Sequence, residues 1–295
     1  MSEKKAKNAE KENLDDKVKA AEKTDGADKT KAAKAKSTDN NKENKTEEDK
    51  ASVQNSNGID VERVNIGWKQ YILPDIHPDG WKFVAAAAAF SLIWFFICTE
   101  AGILFLLVTV FIFYFFRDPE RHTPTDETLV ISPADGLISA IGKYAPPPEL
   151  GMGDEPVVRI SIFLSLFNVH INRVPVTGKV DKLVYIPGKF LNASLDKAST
   201  DNERQLVKMT AAYKDMPIAF AQIAGLVARR VLCDLKEGEQ VKAGERFGLV
   251  RFGSRVDVYL PKGVESLVVC GQEVVGGETV LADLSGKTAR KGEVR

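Results

Sequence analysis

Residues 83–116 form the longest apolar run in the chain, and any fold must find a dry place for it. The run is interrupted only at Thr99-Glu100-Ala101-Gly102. Each half is about 15 residues, short of the roughly 20 that one straight helical crossing of a bilayer needs. Two half-length helices meeting at a polar turn therefore fit the run as a hairpin. Aromatic side chains such as Trp94, Phe95, Phe96, Phe105, Phe111 and Phe113 leave neither half a polar face. Trp68, Tyr71 and Trp81 come just before, as an interfacial aromatic belt would. Lys82 on one side, with Arg117 and Arg121 on the other, puts positive charge at both ends. The expected arrangement is a membrane-associated hairpin at the cell membrane, re-entrant or crossing twice, with both ends on the cytoplasmic face. The alternative is a greasy helical pair buried in a protein core.

The chain ahead of the hairpin has the opposite character. Residues 1–57 are Lys, Glu, Asp, Asn, Ala, Ser and Thr with almost no large apolar side chain. Such a segment cannot bury enough surface to offset its ordering entropy, so a disordered charged tail is expected. An amphipathic linker, residues 58–82, follows. A signal peptide is not expected, because the apolar region comes too late. Lys and Arg number 41 and Asp and Glu 41, so net charge makes no case for a nucleic-acid partner. Cys98, Cys233 and Cys270 lack any CxxC spacing, which favours reduced thiols and no metal site.

Phe115-Phe116-Arg117-Asp118-Pro119 closes the run, with Pro119 ending the helix. From there residues 117–295 change texture. Short β-rich runs alternate with Gly and Pro, at residues 129–131, 137–141, 157–166, 179–185, 218–226, 228–232, 246–252, 255–260, 266–269 and 279–283. Helical periodicity is scarce. The fold class is mainly β (α+β): a compact β-rich catalytic domain, barrel-sandwich-like, preceded by the helical hairpin and the tail.

Three places in this domain carry possible chemistry. Gly253-Ser254 interrupts two strand patterns, and Val256, Val258 and Leu260 then alternate strictly. A Gly there reads as a bulge or a close backbone approach. It also offers the least hindered carbonyl that a serine hydroxyl could attack. Ser132-Pro133-Ala134-Asp135-Gly136 reads as an ordinary turn, or as a placed carboxylate. Phe167-Asn168-Val169-His170-Ile171-Asn172-Arg173 holds the one histidine of the β runs, as His122 lies in the preceding loop. Serine becomes a nucleophile when a base takes its proton, and a carboxylate can orient that base. Asp135, His170 and Ser254 supply those residue types.

The longer strings resemble one family. Pro133-Ala134-Asp135-Gly136, Phe167 to Arg173, Pro187-Gly188-Lys189-Phe190-Leu191-Asn192-Ala193, Asn202-Glu203-Arg204, Ile223 to Arg230 and Arg251-Phe252-Gly253-Ser254 are similar, in order, to motifs of short bacterial and archaeal phosphatidylserine decarboxylase proenzymes. The resemblance spans Phe116 to about Leu284. It implies that Ser254 attacks the Gly253 carbonyl, that β-elimination frees the upstream chain, and that Ser254 becomes a pyruvoyl group with loss of ammonia. That group would be the only cofactor, with no metal. It implies Asp135 and His170 as the base system, and His170 again as proton donor to the α-carbon after decarboxylation. The products would be phosphatidylethanolamine and carbon dioxide. The partners implied are phosphatidylserine in the bilayer and the two cleavage chains for each other. Some members carry a second histidine three residues before the catalytic one; here Phe167 stands there. Lys189, Arg204, Arg229 and Arg230 are candidate phosphate contacts.

Other readings remain open on sequence. An ether-lipid analogue, archaetidylserine, would suit the same motifs. A membrane-anchored serine hydrolase would use the same triad, but Val256 occupies the last position of Gly-x-Ser-x-Gly. A non-catalytic module resembling biotinyl domains would need an exposed turn lysine, and Phe252-Gly253-Ser254 stands at the comparable turn. A pyruvoyl enzyme for a soluble amino acid would leave the hairpin unexplained.

Overall fold

A computed structural model of the chain describes residues 50–54, 60–64, 74–188, 193, 201–225, 231–250 and 254–286. Most of the expected tail, and Arg251, Phe252 and Gly253, lie outside the described residues. The chain separates into two compact units, Met1–Ile72 and Leu73–Arg295. In the first, β1 (Lys50–Gln54) pairs antiparallel with β2 (Asp60–Val64), Val53 opposite Val61. Tail and linker composition gives no sign of this pairing.

The second unit begins with the hairpin. Helix α1 (Gly80–Ile97) and helix α2 (Thr99–Phe115) meet at Cys98, whose backbone is extended. They pack against each other. The Phe90 and Phe105 rings stand edge to face at 4.7 Å, and the Ser91 hydroxyl donates to the Gly102 carbonyl at 3.0 Å. A Cβ at Gly102 would fall 2.6 Å from the Phe95 ring, so this crossing needs glycine. Outer faces remain bare, with Phe96 85% exposed. Among the described residues, α1 alone is long and apolar enough to cross a membrane by length and composition.

The two ends of the hairpin are laced together at its base. Ile76 bridges Arg117, His77 N–H donates to the Phe116 carbonyl at 2.9 Å, and Asp118 N–H donates to the Asp75 carbonyl at 2.6 Å. Here the hairpin joins the β domain. Phe115 and Phe116 are buried with Val169, Ile171 and Leu249. The division expected at residue 117 therefore cuts through a shared cluster.

The remaining strands are β3 (Leu129–Ile131), β4 (Gly136–Tyr144), β5 (Val157–Leu164), β6 (Ile171–Arg173), β7 (Gly178–Ile186), β8 (Arg204–Ala211), β9 (Pro217–Ile223), β10 (Val231–Cys233), β11 (Gln240–Val241), β12 (Arg246–Val250), β13 (Ser254–Tyr259), β14 (Glu273–Val274) and β15 (Val280–Asp283). Eight of them form an antiparallel sheet in the order β11-β7-β8-β9-β13-β5-β4-β14, curled into a half-barrel. Three more form the sheet β10-β12-β6, and β15 pairs with β3. The mainly β class expected from the alternating runs is the class observed.

Strand β13 lies inside the large sheet, between β5 and β9. Alternation sends Val256 and Val258 into the main core with Ile160, Ile162 and Phe220. Ser254, two residues earlier, shares that face. Arg255 and Asp257 point to the other face, where they form a two-pronged ion pair at 2.9 and 3.1 Å that satisfies both charges out of water.

Candidate active site

Ser254 opens β13 directly opposite Leu164, the last residue of β5. Its hydroxyl is fully buried and, among the described residues, has no hydrogen-bond partner. From Leu164 the chain makes a short loop to His170, which precedes β6. That loop is held by Asn168, whose carboxamide oxygen accepts from both the amide and the hydroxyl of Ser165. Strand β6 pairs with β12, Ile171 opposite Leu249, and the Val250 amide donates to the His170 carbonyl at 3.3 Å. The strand leading into the Gly253-Ser254 bond and the strand leaving it are thus anchored to the two ends of one short loop.

His170 is completely buried beneath the hairpin base, its ring 4.1 Å from that of Phe115. Among the described residues neither ring nitrogen has a hydrogen-bond partner, and both are buried. Burial pushes its pKa down to about 4, and the Arg117 charge pushes the same way. The Asn168 backbone opposes this weakly, from outside hydrogen-bond geometry. At neutral pH the ring is an uncharged base. Native interiors rarely leave buried polar atoms bare, and among the described residues Ser254 and His170 both carry such atoms. Gln222 Oε1 is another, on the residue opposite Val256. The Gln222 side-chain amide donates to Asn172 at 2.8 Å, and Asn172 reaches back to the Pro133 carbonyl at 3.5 Å. The buried Asn172–Gln222 pair was not among the sequence candidates, although Asn172 stands in the His170 motif.

Asp135 occupies the turn before β4. One carboxylate oxygen accepts the Gly276 amide at 2.7 Å, and the other accepts Arg121 Nη2 at 2.8 Å. Burial raises its pKa, while Arg121 and the Gly276 amide hold it down. The described structure contains no Asp135–His170 hydrogen bond, because both imidazole nitrogens are unpartnered. Arg121, legible in sequence only as a flanking charge, is its direct partner. Arg204 lies on the far face of the large sheet from Ser254, beside Glu149 at 3.2 Å. Lys189, Arg229 and Arg230 lie outside the described residues.

Known proteins decide the family. The profile of phosphatidylserine decarboxylase matches residues 108–282. A phosphatidylserine decarboxylase proenzyme of Paramagnetospirillum magneticum is 56% identical over 239 residues, covering 81% of this chain and 99% of that protein. This chain belongs to the phosphatidylserine decarboxylase family. Relatives of the same name from Cereibacter sphaeroides and Rickettsia rickettsii are 56% and 52% identical, covering 73% and 74% of this chain and 93% and 95% of their own lengths. The phosphatidylserine decarboxylases are carboxy-lyases, and these relatives are named as proenzymes. The matched residues take in the base of α2, Gly253 and all three of Asp135, His170 and Ser254.

The architecture also suits a family of proenzymes. A chain starting at Ser254 would carry β13, β14 and β15, each paired to strands upstream of residue 253. A break at that bond would leave the two pieces interlocked through the sheet. It would also place the new terminus at the buried head of β13, opposite the end of β5 where the His170 loop begins. The bare hydroxyl of Ser254 at that position fits a prosthetic group made from Ser254 itself.

Proposed function

We propose that this chain is a self-processing, membrane-associated phosphatidylserine decarboxylase, working at the cytoplasmic face through a pyruvoyl group formed from Ser254. The observation that carries the reading is the pair of bare, buried groups, Ser254 Oγ and the His170 ring, on a loop and strands tied by the Val250–His170 bond. Neutral His170 takes the hydroxyl proton as Ser254 Oγ attacks the Gly253 carbonyl. The acyl group shifts from nitrogen to oxygen, and elimination then frees the upstream chain with a Gly253 carboxylate. A pyruvoyl group supplies an electron-accepting carbonyl for a primary amine whose α-carboxylate is to leave as carbon dioxide. His170 then holds the proton that the α-carbon must regain. Burial beneath Phe115 excludes water from this exchange. Asp135 acts from its Arg121-bound position, since a carboxylate retains acceptor capacity after two bonds. The bare faces of α1 and α2 keep the domain at the bilayer surface, where the headgroups are.

Intact-mass measurement of the purified protein tests the reading. The expected result is two chains, residues 1–253 and 254–295, the smaller lighter by one ammonia than the plain peptide. A single full-length mass in protein that releases carbon dioxide from phosphatidylserine would falsify the pyruvoyl assignment.

A further inference from the structure

We propose that Arg117 receives the phosphodiester of the lipid headgroup, at the seam between helix α2 and the loop that carries His170. The inference rests on the decarboxylase reading above. Arg117 lies just beyond α2, after its cap Phe116, and bonds both sides of the seam. Nη1 donates to the Tyr114 carbonyl at 2.9 Å, and Nη2 donates to the Phe167 carbonyl at 2.7 Å. Its guanidinium also lies 3.9 Å from the centre of the Tyr114 ring. These contacts fix the group while using only part of its donor set.

Among the described residues its charge has no direct ion pair, and Asp135, already bonded to Arg121, attracts it only from a distance. The neighbouring arginines each have a carboxylate: Arg121 with Asp135 at 2.8 Å, Arg246 with Asp118 at 2.7 Å, and Arg173 with Asp118 at 3.5 Å. Arg117 bonds neutral carbonyls, and no carboxylate among the described residues lies within ion-pair distance of it. Burial disfavours its charged form, which an incoming anion would offset. A phosphodiester offers the two-pronged geometry that a guanidinium matches.

The surroundings point to a lipid. Phe167 is 71% exposed at the loop tip, with Leu166 and Tyr114 also exposed, and the Phe111 ring meets Phe167 edge-on at 6.3 Å. This apolar rim continues onto the bare faces of the hairpin. On its other side Arg117 is close enough to act electrostatically on His170. Only a methylene and an ester oxygen separate the α-carbon of the headgroup from phosphorus, so the phosphate site must adjoin the reaction centre. Arg204, on the opposite face of the sheet, does not meet that condition.

The test compares the processed wild type with Arg117→Gln and Arg117→Lys. Dihexanoyl phosphatidylserine is the substrate, and two amphiphiles serve as inhibitors. Dihexanoyl phosphatidic acid has the phosphate without serine; O-octylserine has the serine without phosphate. Arg117→Gln should raise KM and the phosphatidic acid inhibition constant about tenfold or more, the loss expected of a charge-assisted pair, with kcat kept within about threefold. Inhibition by O-octylserine should be unchanged, and Arg117→Lys should fall between. Equal weakening of both inhibitors would make Arg117 a structural brace, and no change in either would remove it from the site. If Arg117→Gln fails to process, the same split is read on Arg117→Lys. In the wild type, phosphatidic acid must inhibit more strongly than its uncharged diacylglycerol, or the proposal fails. Absence of any turnover by the processed wild type would instead count against the decarboxylase reading.

Discussion

The Val250 amide donates to the His170 carbonyl at 3.3 Å, so the strand entering the Gly253-Ser254 bond hangs on the residue proposed as its base. On the far side of that bond, Ser254 stands opposite Leu164, where the His170 loop begins. Nucleophile and base therefore share one small piece of scaffold. Movement of the loop would move both, and strand pairing resists that movement. Positioning of this kind supplies much of the rate of an intramolecular reaction.

Processing should depend on both residues. Ser254→Ala should remain one chain with no decarboxylation. His170→Ala should slow cleavage by about a hundredfold or more, the usual loss when a general base is removed. With the ring already neutral, wild-type cleavage should be flat from about pH 8 to about pH 5.5. Time courses of chain separation read both effects, and a rate that falls tenfold across that range would show a base with an ordinary pKa.

Burial of His170 also sets a pH dependence of stability. Its folded pKa, about 4, lies below the ordinary 6.5, so between these values the unfolded chain takes up a proton that the folded chain refuses. The contribution is therefore complete above pH 6.5 and is lost as pH falls towards 4, by about 3 kcal/mol in all. Urea midpoints of Ser254→Ala, with and without His170→Gln, isolate it. Asp135, whose raised pKa acts in the opposite direction, is common to both proteins and cancels. The proteins should diverge on acidification, Ser254→Ala losing more. Parallel curves would mean that the ring is solvated.

Strict alternation made β13 legible in the sequence, and the polar break made the hairpin legible. Strand β8 was not, because Leu206 and Val207 are both buried, on opposite faces of an interior strand, and no polar face remains to mark the period. The residue types of the site were readable, but their contacts were not. The Arg121–Asp135 pair and the Asn172–Gln222 bond join elements that only the closed sheet brings together. The contacts at the base of the hairpin were hidden for a related reason. Phe115 and Phe116 look like the rest of an apolar run, yet they pack into the β domain with Val169 and Ile171, Phe115 lying over His170, instead of facing outward.

Asp135 can be tested apart from its structural bonds. Asp135→Asn keeps an acceptor for the Gly276 amide but removes the charge, and should slow cleavage about tenfold or more. Arg121→Gln leaves the carboxylate in place and should cleave within about threefold of the wild-type rate. Equal slowing in the two variants would assign Asp135 to holding the fold.

The hairpin should divide into two functions along its length. Replacing residues 88–108 with a short Gly-Ser turn removes the outer part, including the Phe90–Phe105 contact, but spares the laced base. That variant should leave the membrane fraction in flotation and lose most turnover on vesicles, while still separating into two chains. Phe115→Ala should do the reverse. It stays on the membrane but uncovers His170, at about 3–5 kcal/mol for a buried Phe, and cleavage should slow with it. If the shortened hairpin still floated and kept full vesicle activity, the apolar faces of α1 and α2 would serve something other than the bilayer. If Phe115→Ala processed normally, the ring over His170 would be packing alone, and the neutrality of the histidine would rest on the loop beneath it.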